Sequence, residues 1–348
     1  MFMKRNRVLS AALGAVMLLA GPGATVSAQK AAKPEAAANK DCRGTDMLTE
    51  LKTSDPQTFE RIQREAAATE NTTAILWKIE KAGVEPSYLF GTIHLTDPRV
   101  TALPATAEAA LGKAHSVLLE VADLSPQNSA TALSQAMRLA IFTDGRTLDN
   151  LLSAEDFAKV KSTISRAGLP GEAAGLFKPW IVTMLLAASD CERRKIQEGE
   201  TVLDMKIAEA ARRRSVPVIG LETIDSQLAV LASVPEEQQV RMLRAGLAYA
   251  DRTYDLVETT IQFYVKRNMG AAWPFQFALA SKAGFGEADF AGFQQRLIDE
   301  RNIKMRDNAI PHIDKGGAFM AVGALHLSGK AGLVALLRAA GYSVTAAE

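Results

Sequence analysis

Four apolar segments of the sequence each end in a side chain that can act in catalysis or bind a metal ion: His94, Glu120, Glu222 and His326. His94 and His326 share one local frame, Gly-x-x-His-Leu, near the two ends of the chain. Imidazole is the most common metal ligand in proteins, and it titrates near neutral pH. A lone histidine after a strand is more often structural. Here two of only four histidines occupy one repeated frame, which favours a functional pair.

Glu120 lies inside a very apolar run, Val-Leu-Leu-Glu-Val at 117–121. Strand alternation alone would allow this carboxylate to face solvent. The apolar residues on both sides instead favour a strand buried on both faces, where a charge must be paired or coordinated. Two imidazoles and one carboxylate form a catalytic set for a divalent ion with an open position for water. We therefore predict His94, Glu120 and His326 as ligands of a divalent metal ion; spacing does not identify it, and Mn, Co and Zn are candidates.

Glu222 and Arg301 are the predicted catalytic partners of these ligands. Glu222 precedes a predicted helix, so it is either a carboxylate at a helix N-terminus or a group that orients the site or accepts a proton. Arg301 continues the apolar stripe of a predicted helix at 289–308, one helical step after Leu297. It either forms an ion pair at the helix end or meets a buried carboxylate, Glu120 or Glu222. In the catalytic interpretation, Glu222 accepts a proton and Arg301 stabilises developing negative charge.

The elements that position these residues alternate between strand and helix. The sequence predicts strands at 73–78, 87–94, 116–121, 216–221, 319–325 and 342–345, and helices at 105–114, 225–267 (with a break near 234–235), 289–308 and 331–340. This order is typical of an α/β fold. We predict a central mixed sheet built from two related halves, with a largely helical insertion at about 127–310. Ligands of open α/β sheets bind at the carboxyl ends of the strands. If the four strands are parallel neighbours, their four polar side chains would converge there.

Composition narrows the class of protein. The chain of 348 residues has 40 basic and 39 acidic side chains, so no broad basic field indicates nucleic acid as a partner. Only two cysteines are present, which excludes a cysteine-rich zinc or iron–sulfur site.

The N-terminus has the pattern of a signal peptide. Basic residues at positions 4, 5 and 7 precede an apolar run at 8–20, and Val26-Ser27-Ala28 offers small residues for cleavage. We predict a signal peptide at 1–28, a flexible leader at 29–41 and a single domain at 42–348. A membrane anchor is the alternative, but the apolar run is short for a span. The mature protein is then expected to be periplasmic or secreted, with no later membrane span. There a Cys42–Cys191 disulfide is favoured over two free thiols.

Several motifs resemble those of the TraB/GumN family, which is related to the Tiki proteins. They are Tyr-Leu-Phe-Gly-Thr-Ile-His-Leu at 88–95 and Ala-Val-Gly-Ala-Leu-His-Leu-Ser-Gly at 321–329, with Leu-Leu-Glu-Val at 118–121, Lys-Pro-Trp at 178–180, Val-Ile-Gly-Leu-Glu-Thr at 218–223 and Glu-Arg-Asn at 300–302 between them. The resemblance implies an α/β fold and, for the Tiki members, metal-dependent proteolysis. By position, His94, Glu120 and His326 match the family's metal or catalytic set, with Glu222 and Arg301 beside it.

The leading hypothesis is therefore an exported metal-dependent hydrolase that acts on a peptide or protein substrate. Two alternatives remain open from the sequence. One is a non-catalytic binding protein of the cell envelope or of polysaccharide physiology. The other is a haem- or metal-binding protein that uses the same histidines as ligands.

Overall fold

The computed structural model describes residues 42–122, 134–286 and 292–348. The predicted signal peptide and leader lie outside the described residues, as does the start of the predicted helix at 289–308. No helix in the described ranges combines the length and the apolar character needed to cross a bilayer.

Six strands form one mixed sheet, as predicted. They are β1 (Leu76–Glu80), β2 (Ser87–Thr92), β3 (Ser116–Leu119), β4 (Val218–Gly220), β5 (Ala318–Gly323) and β6 (Ser343–Ala346). Their order across the sheet is β4-β3-β5-β2-β1-β6. The four strands β4, β3, β5 and β2 are mutually parallel, whereas β1 runs antiparallel to both β2 and β6. The four segments that end in His94, Glu120, Glu222 and His326 therefore all point the same way.

Helices cover both faces of the sheet and fill the long central segment. They are α1 (Met47–Ser54), α2 (Pro56–Ala68), α3 (Pro98–Thr101), α4 (Ala105–Lys113), α5 (Ala154–Arg166), α6 (Pro179–Ala187), α7 (Asp190–Gln197), α8 (Leu203–Arg213), α9 (Ile224–Ala232), α10 (Glu236–Leu247), α11 (Thr253–Val265), α12 (Ala272–Lys282), α13 (Glu300–Ile313) and α14 (Leu333–Ala339). A π-helical turn, Gln295–Asp299, leads directly into α13. Residues 134–140 are also helical.

Alternate residues of the strands pack into two hydrophobic clusters on opposite faces of the sheet. Val117 and Phe319 belong to the cluster that includes α4, α8 and α11. Leu118 and Met320 belong to the cluster that includes α13 and α14. β3 is therefore buried on both faces, which is the setting predicted for Glu120.

The two repeated Gly-x-x-His frames follow neighbouring parallel strands, but the chain then leaves them in opposite directions. From β2 the chain passes through α4 to β3, beyond β5; from β5 it passes through α14 to β6, beyond β1. Helices α4 and α14 lie in the clusters on opposite faces of the sheet. Such a reversal is the switch point at which open α/β sheets form their ligand crevice.

The helical insertion has a hydrophobic cluster of its own. Residues between 136 and 247 form this third cluster, centred on buried side chains such as Trp180, Ile181, Leu185 and Leu243. The chain returns to the sheet within the insertion, because β4 pairs with β3 at the sheet edge. The insertion thus supplies a helical wall beside the carboxyl end of β3.

A disulfide joins Cys42 to Cys191 in α7, as predicted, with a Cα–Cα distance of 5.7 Å. The next residue, Glu192, is buried, and its Oε2 accepts hydrogen bonds from the backbone N–H and the hydroxyl of Thr96, each at 2.8 Å. Thr96 lies two residues after His94. The side chain of Glu192 therefore connects the disulfide-bonded helix α7 to the loop that carries His94, a predicted metal ligand.

Replacing both cysteines with alanine is expected to lower the free energy of unfolding by about 2–5 kcal/mol, because the bond spans 149 residues and restricts the unfolded chain strongly. Urea denaturation of the purified mature protein measures this loss. Reductant should produce a similar loss in the wild type and no change in the double alanine variant. Equal midpoints for the oxidised wild type and the variant would contradict the expectation.

Candidate functional site

The structure brings the five predicted residues into one cluster at the carboxyl ends of the parallel strands. Glu120 comes directly after β3, and His94, Glu222 and His326 come two or three residues after β2, β4 and β5. Arg301 reaches the cluster from the first turn of α13. Sequence positions from 94 to 326 thus meet at the crevice that the topology predicts.

The carboxylate of Glu120 is the centre of this cluster. Its Oε1 accepts a hydrogen bond from the backbone N–H of Gly323 at 2.7 Å, and lies 3.8 Å from Nε2 of His326 and 4.0 Å from Nε2 of His94. Its Oε2 accepts a hydrogen bond from Arg301 at 2.8 Å. Burial would raise the pKa of Glu120, but the charges of His326, His94 and Arg301 and the Gly323 N–H outweigh it and lower the pKa to about 2. Glu120 is thus an ionised carboxylate.

Asn302 fixes the tautomer of His326. The side-chain amide of Asn302 donates to the carbonyl of Ala331 at 2.8 Å, so its Oδ1 is the atom that faces Nδ1 of His326 at 2.7 Å. Nδ1 must therefore carry the proton, and Nε2 presents its lone pair toward Glu120. Burial, with the charges of Arg301 and His94, lowers the pKa of His326 to about 4 against the opposing effect of Glu120.

Asp204 contacts Nδ1 of His94, as Asn302 contacts Nδ1 of His326. Its Oδ2 lies 3.2 Å from Nδ1 of His94, and its Oδ1 accepts a hydrogen bond from the hydroxyl of Thr92 at 2.8 Å. Burial opposes protonation of His94, but the charge and hydrogen bond of Asp204, with the charge of Glu120, raise the pKa to about 9. The Nε2 atoms of both histidines therefore point to one carboxylate oxygen, and their Nδ1 atoms contact Asp204 and Asn302 on the opposite side of each ring.

Arg301 links the two buried carboxylates. Its Nε and Nη2 contact both oxygens of Glu222 at 2.7–3.1 Å, and Nη2 also donates to Glu120. Nη1 donates to the carbonyl of Leu297 in the π-helical turn at 3.1 Å. Gln227 donates to both carboxylates, at 3.1 Å and 3.3 Å. Both carboxylates predicted as partners for Arg301 are thus bound to it.

The two frame glycines have steric roles. A Cβ on Gly323 would lie 3.2 Å from Oε1 of Glu120, closer than ordinary contact and beside the N–H that binds this oxygen. A Cβ on Gly91 would lie 3.0 Å from the side chain of Leu327 and 3.1 Å from Ala324. The first glycine therefore admits the carboxylate, and the second lets the turn before His326 pack on β2.

Comparison with known proteins gives the family. Residues 75–346 match the model of the TraB/PrgY/gumN family. The chain belongs to this family. It is similar to uncharacterized protein YbaP of Shigella flexneri, with 25% identity over 74% of this chain and 89% of the relative. It is also similar to Metalloprotease TIKI2 of Xenopus tropicalis (24% identity; 79% of this chain, 60% of the relative) and Metalloprotease TIKI1 of Danio rerio (24%; 78% and 62%). The resemblance stated from the motifs is confirmed.

The donor chemistry of this TraB-family site suits a divalent ion, although its spacing is wide. Among the described residues, no group of three or more His, Cys, Asp or Glu side chains meets the requirements for holding a metal ion. The Nε2–Oε1 distances of 3.8 and 4.0 Å exceed the roughly 3.4 Å expected between ligands that bind tetrahedrally at about 2.1 Å. The difference is a few tenths of an ångström, which side-chain rotation can supply.

Sequence reasoning singled out neither Asp204 nor Asn302 for the site, although both carried a signal. Asp204 shares the buried face of α8 with Leu203, Ile207 and Ala208, so a carboxylate interrupts an otherwise apolar stripe. Asn302 follows Arg301 directly and is fully buried. In both helices, a polar residue within an apolar stripe was the sequence signal for a buried side chain that contacts the site. The other two histidines stay outside the cluster; the side chain of His115, for example, is 66% exposed beside Glu85.

The metal-free protein is expected to be most stable near pH 6.5. His94 keeps its proton to about pH 9 in the folded state, whereas an ordinary histidine releases it near 6.5, so its contribution is complete below 6.5 and is lost as the pH rises to 9. His326 opposes protonation down to about pH 4, so stability also falls as the pH drops from 6.5 to 4. Each limb amounts to about 3 kcal/mol.

Urea denaturation in the presence of a chelator, repeated across pH, measures both limbs. His94→Gln should flatten the alkaline limb, and His326→Gln should flatten the acidic limb. A wild-type profile that is level from pH 6.5 to 9 would show that Asp204 does not hold His94 in its protonated form.

Proposed function

We propose that this chain is an exported, metal-dependent hydrolase that cleaves peptide bonds, with a divalent ion held by His94, Glu120 and His326. One observation carries the proposal: the Nε2 atoms of two imidazoles both lie within 4.0 Å of one carboxylate oxygen, and the Nδ1 atoms of the two rings contact Asp204 and Asn302. Ligand histidines commonly bind a carboxylate or amide oxygen through their other nitrogen. Asp204 and Asn302 supply these contacts.

Formal charge supports a cation at this position. In the metal-free protein the carboxylates of Glu120, Glu222 and Asp204 face the positive charges of Arg301 and protonated His94, which leaves a formal charge of −1. A bound metal ion would displace the proton of His94 and would then face a formal charge of −2 in this largely buried cluster. Uncompensated charge in such a setting is costly. A divalent ion would balance it. Mn, Co and Zn all suit nitrogen and oxygen donors.

A bound divalent ion would supply a nucleophilic water at neutral pH and polarise the scissile carbonyl. The chain's own residues do the rest. Arg301 stabilises negative charge on the substrate; its contacts use four of its five N–H groups, so one Nη1 N–H has no partner among the described residues. Glu222 orients Arg301, because both of its oxygens already accept bonds from this guanidinium, so we favour this role over that of proton acceptor.

The relatives, the N-terminal sequence and the disulfide also support the proposed peptidase activity and export. The Tiki relatives carry the name metalloprotease, and the match to them extends over 78–79% of this chain. The basic and apolar N-terminal pattern precedes a cleavage site after Ala28, and the Cys42–Cys191 bond suits an oxidising compartment. N-terminal sequencing of the protein recovered from the periplasm or medium should begin at Gln29.

Metal content and peptide cleavage test the hydrolase together. The wild type, His94→Ala, His326→Ala and the double variant are each reconstituted with Mn, Co or Zn, and metal is measured by mass spectrometry. We expect about one ion per wild-type chain, loss of that ion in the variants, and a fall of about 10²–10³-fold or more in cleavage of a peptide library. His115→Ala is the matched control and should behave as the wild type. Equal, negligible metal in the wild type and the double variant, or cleavage that survives in the double variant, would refute the proposal.

A further inference from the structure

An apolar groove of about 190 Å³ lies along two elements that also carry residues of the candidate site. Its walls include Trp180 and Met184 of α6, Leu231 of α9, Met242 of α10 and Phe293. These residues do not belong to the cluster around Glu120. The groove is smaller than the roughly 300–1,000 Å³ of typical small-molecule pockets, so its volume suits one large side chain rather than a whole ligand.

Two elements run from the site into this groove. On α9, Gln227 contacts both buried carboxylates, and Leu231 follows one helical turn later on the same face. On the segment that leads into α13, Phe293, Leu297 and Arg301 follow each other at four-residue intervals, and Leu297 accepts a bond from Arg301. The two elements also pack against each other. The walls of the groove are therefore continuations of the walls of the site.

The groove offers little to a polar occupant. Its two uncharged polar side chains are already bonded to the backbone: the hydroxyl of Thr183 donates to the carbonyl of Pro179 at 3.0 Å, and the amide of Gln239 donates to the carbonyl of Val234 at 2.7 Å. A charged or amide side chain placed there would lose its hydration without gaining partners. Methionine side chains adapt to different apolar shapes, so leucine, methionine and phenylalanine would all fit.

We infer that this groove is a substrate subsite, which binds a large apolar side chain of an extended peptide about two residues from the bond that is cleaved. Gln227 and Leu231 are about 6 Å apart along α9, which corresponds to about two residues of an extended peptide, at 3.3–3.6 Å each, that lies alongside this helix. The inference rests on the proposed peptidase activity and adds its substrate class: peptides with an aliphatic or aromatic residue close to the cleavage point.

Matched peptides test the subsite. In the metal-loaded enzyme, kcat/KM is measured for a cleaved peptide and for versions with leucine or its near-isostere asparagine at each position around the bond. We expect a preference of about 10–200-fold for leucine at one position, two residues from the bond. Met184→Gln and Met242→Gln should reduce this preference severalfold. Leu176 is exposed and does not line the groove, so Leu176→Gln should leave kcat/KM for the leucine and the asparagine peptide unchanged.

Each outcome separates the subsite from the activity. Efficient cleavage with no preference between leucine and asparagine would overturn the subsite and leave the peptidase intact. If no peptide is cleaved, calorimetric binding of the same peptides decides: tighter binding of the leucine peptide that Met184→Gln weakens would support the groove, and equal or absent binding would overturn it. If the methionine variants convert a dimer to a monomer in sedimentation and keep the leucine preference, the groove is a contact between copies of the chain and the inference fails.

Discussion

Replacing Arg301 with methionine is expected to lower the free energy of unfolding by about 3–5 kcal/mol at pH 7. Arg301 binds Glu120 at 2.8 Å and Glu222 at 2.7 Å, and all three side chains are at least 92% buried. Methionine keeps much of the length of the side chain but removes the charge, so two carboxylates remain buried without their shared cation. Removing one member of a buried ion cluster costs far more than the cluster itself contributes.

The pH dependence distinguishes this cause from a packing defect. Without Arg301, the pKa of Glu120 should rise from about 2 toward its ordinary value of 4.5, so the variant should lose less stability than the wild type as the pH falls below 4.5. The deficit should therefore shrink in acid. In urea titrations, Arg301→Lys should lose less than the methionine variant, because it keeps the charge without the two-pronged geometry. Adding Glu222→Gln to Arg301→Met should recover part of the loss. A methionine variant as stable as the wild type at pH 7 would contradict this account.

Glu120→Gln is expected to reduce peptide cleavage by about 10³-fold or more and to abolish stoichiometric metal binding, because this carboxylate is the oxygen donor that both histidines face. Glutamine keeps the shape and can still accept the hydrogen bond from the Gly323 N–H. The fold should therefore survive. Glu222→Gln is the matched comparison: its carboxylate contacts Arg301 and Gln227 but neither histidine within the described contacts. Peptide cleavage by Glu222→Gln should fall by no more than about 10–100-fold.

Steady-state cleavage, metal content and circular dichroism on the two glutamine variants make this comparison. Equal losses would show that the two carboxylates act as one unit around Arg301. A larger loss for Glu222→Gln would favour Glu222 as the proton acceptor, the role first predicted from the sequence.

The sequence predicted most of what positions the site. The apolar runs before His94, Glu120 and His326 predicted strands, and the structure shows that these strands are parallel neighbours whose carboxyl ends meet at the site. Glu120 was predictable as buried because its neighbours were apolar on both faces of β3. The roles of these side chains stay predictions, since the structure shows their positions and not their chemistry.

Long-range geometry could not be read from the same patterns. Nothing local to Arg301 indicates that it binds both carboxylates, because that depends on how α13 crosses the ends of β3 and β4. The π-helical turn before α13 was also not predicted from the sequence. The Nε2–Oε1 distances depend on rotamers that Asp204 and Asn302 select from other elements.

The strand order has a consequence for the time course of folding. β5 is the fifth strand along the chain but lies between β2 and β3, and its pairing joins Tyr88 to Phe319. The entropy of closing so long a loop must be overcome before this contact forms, so insertion of β5 is expected to be slow. Until then β2 and β3 present open edges of the kind that aggregate. Glu120 meanwhile lacks the N–H of Gly323, and His326 is not in place. The candidate site would therefore form abruptly and late, when residues 318–326 enter the sheet, and no earlier folding intermediate would contain it.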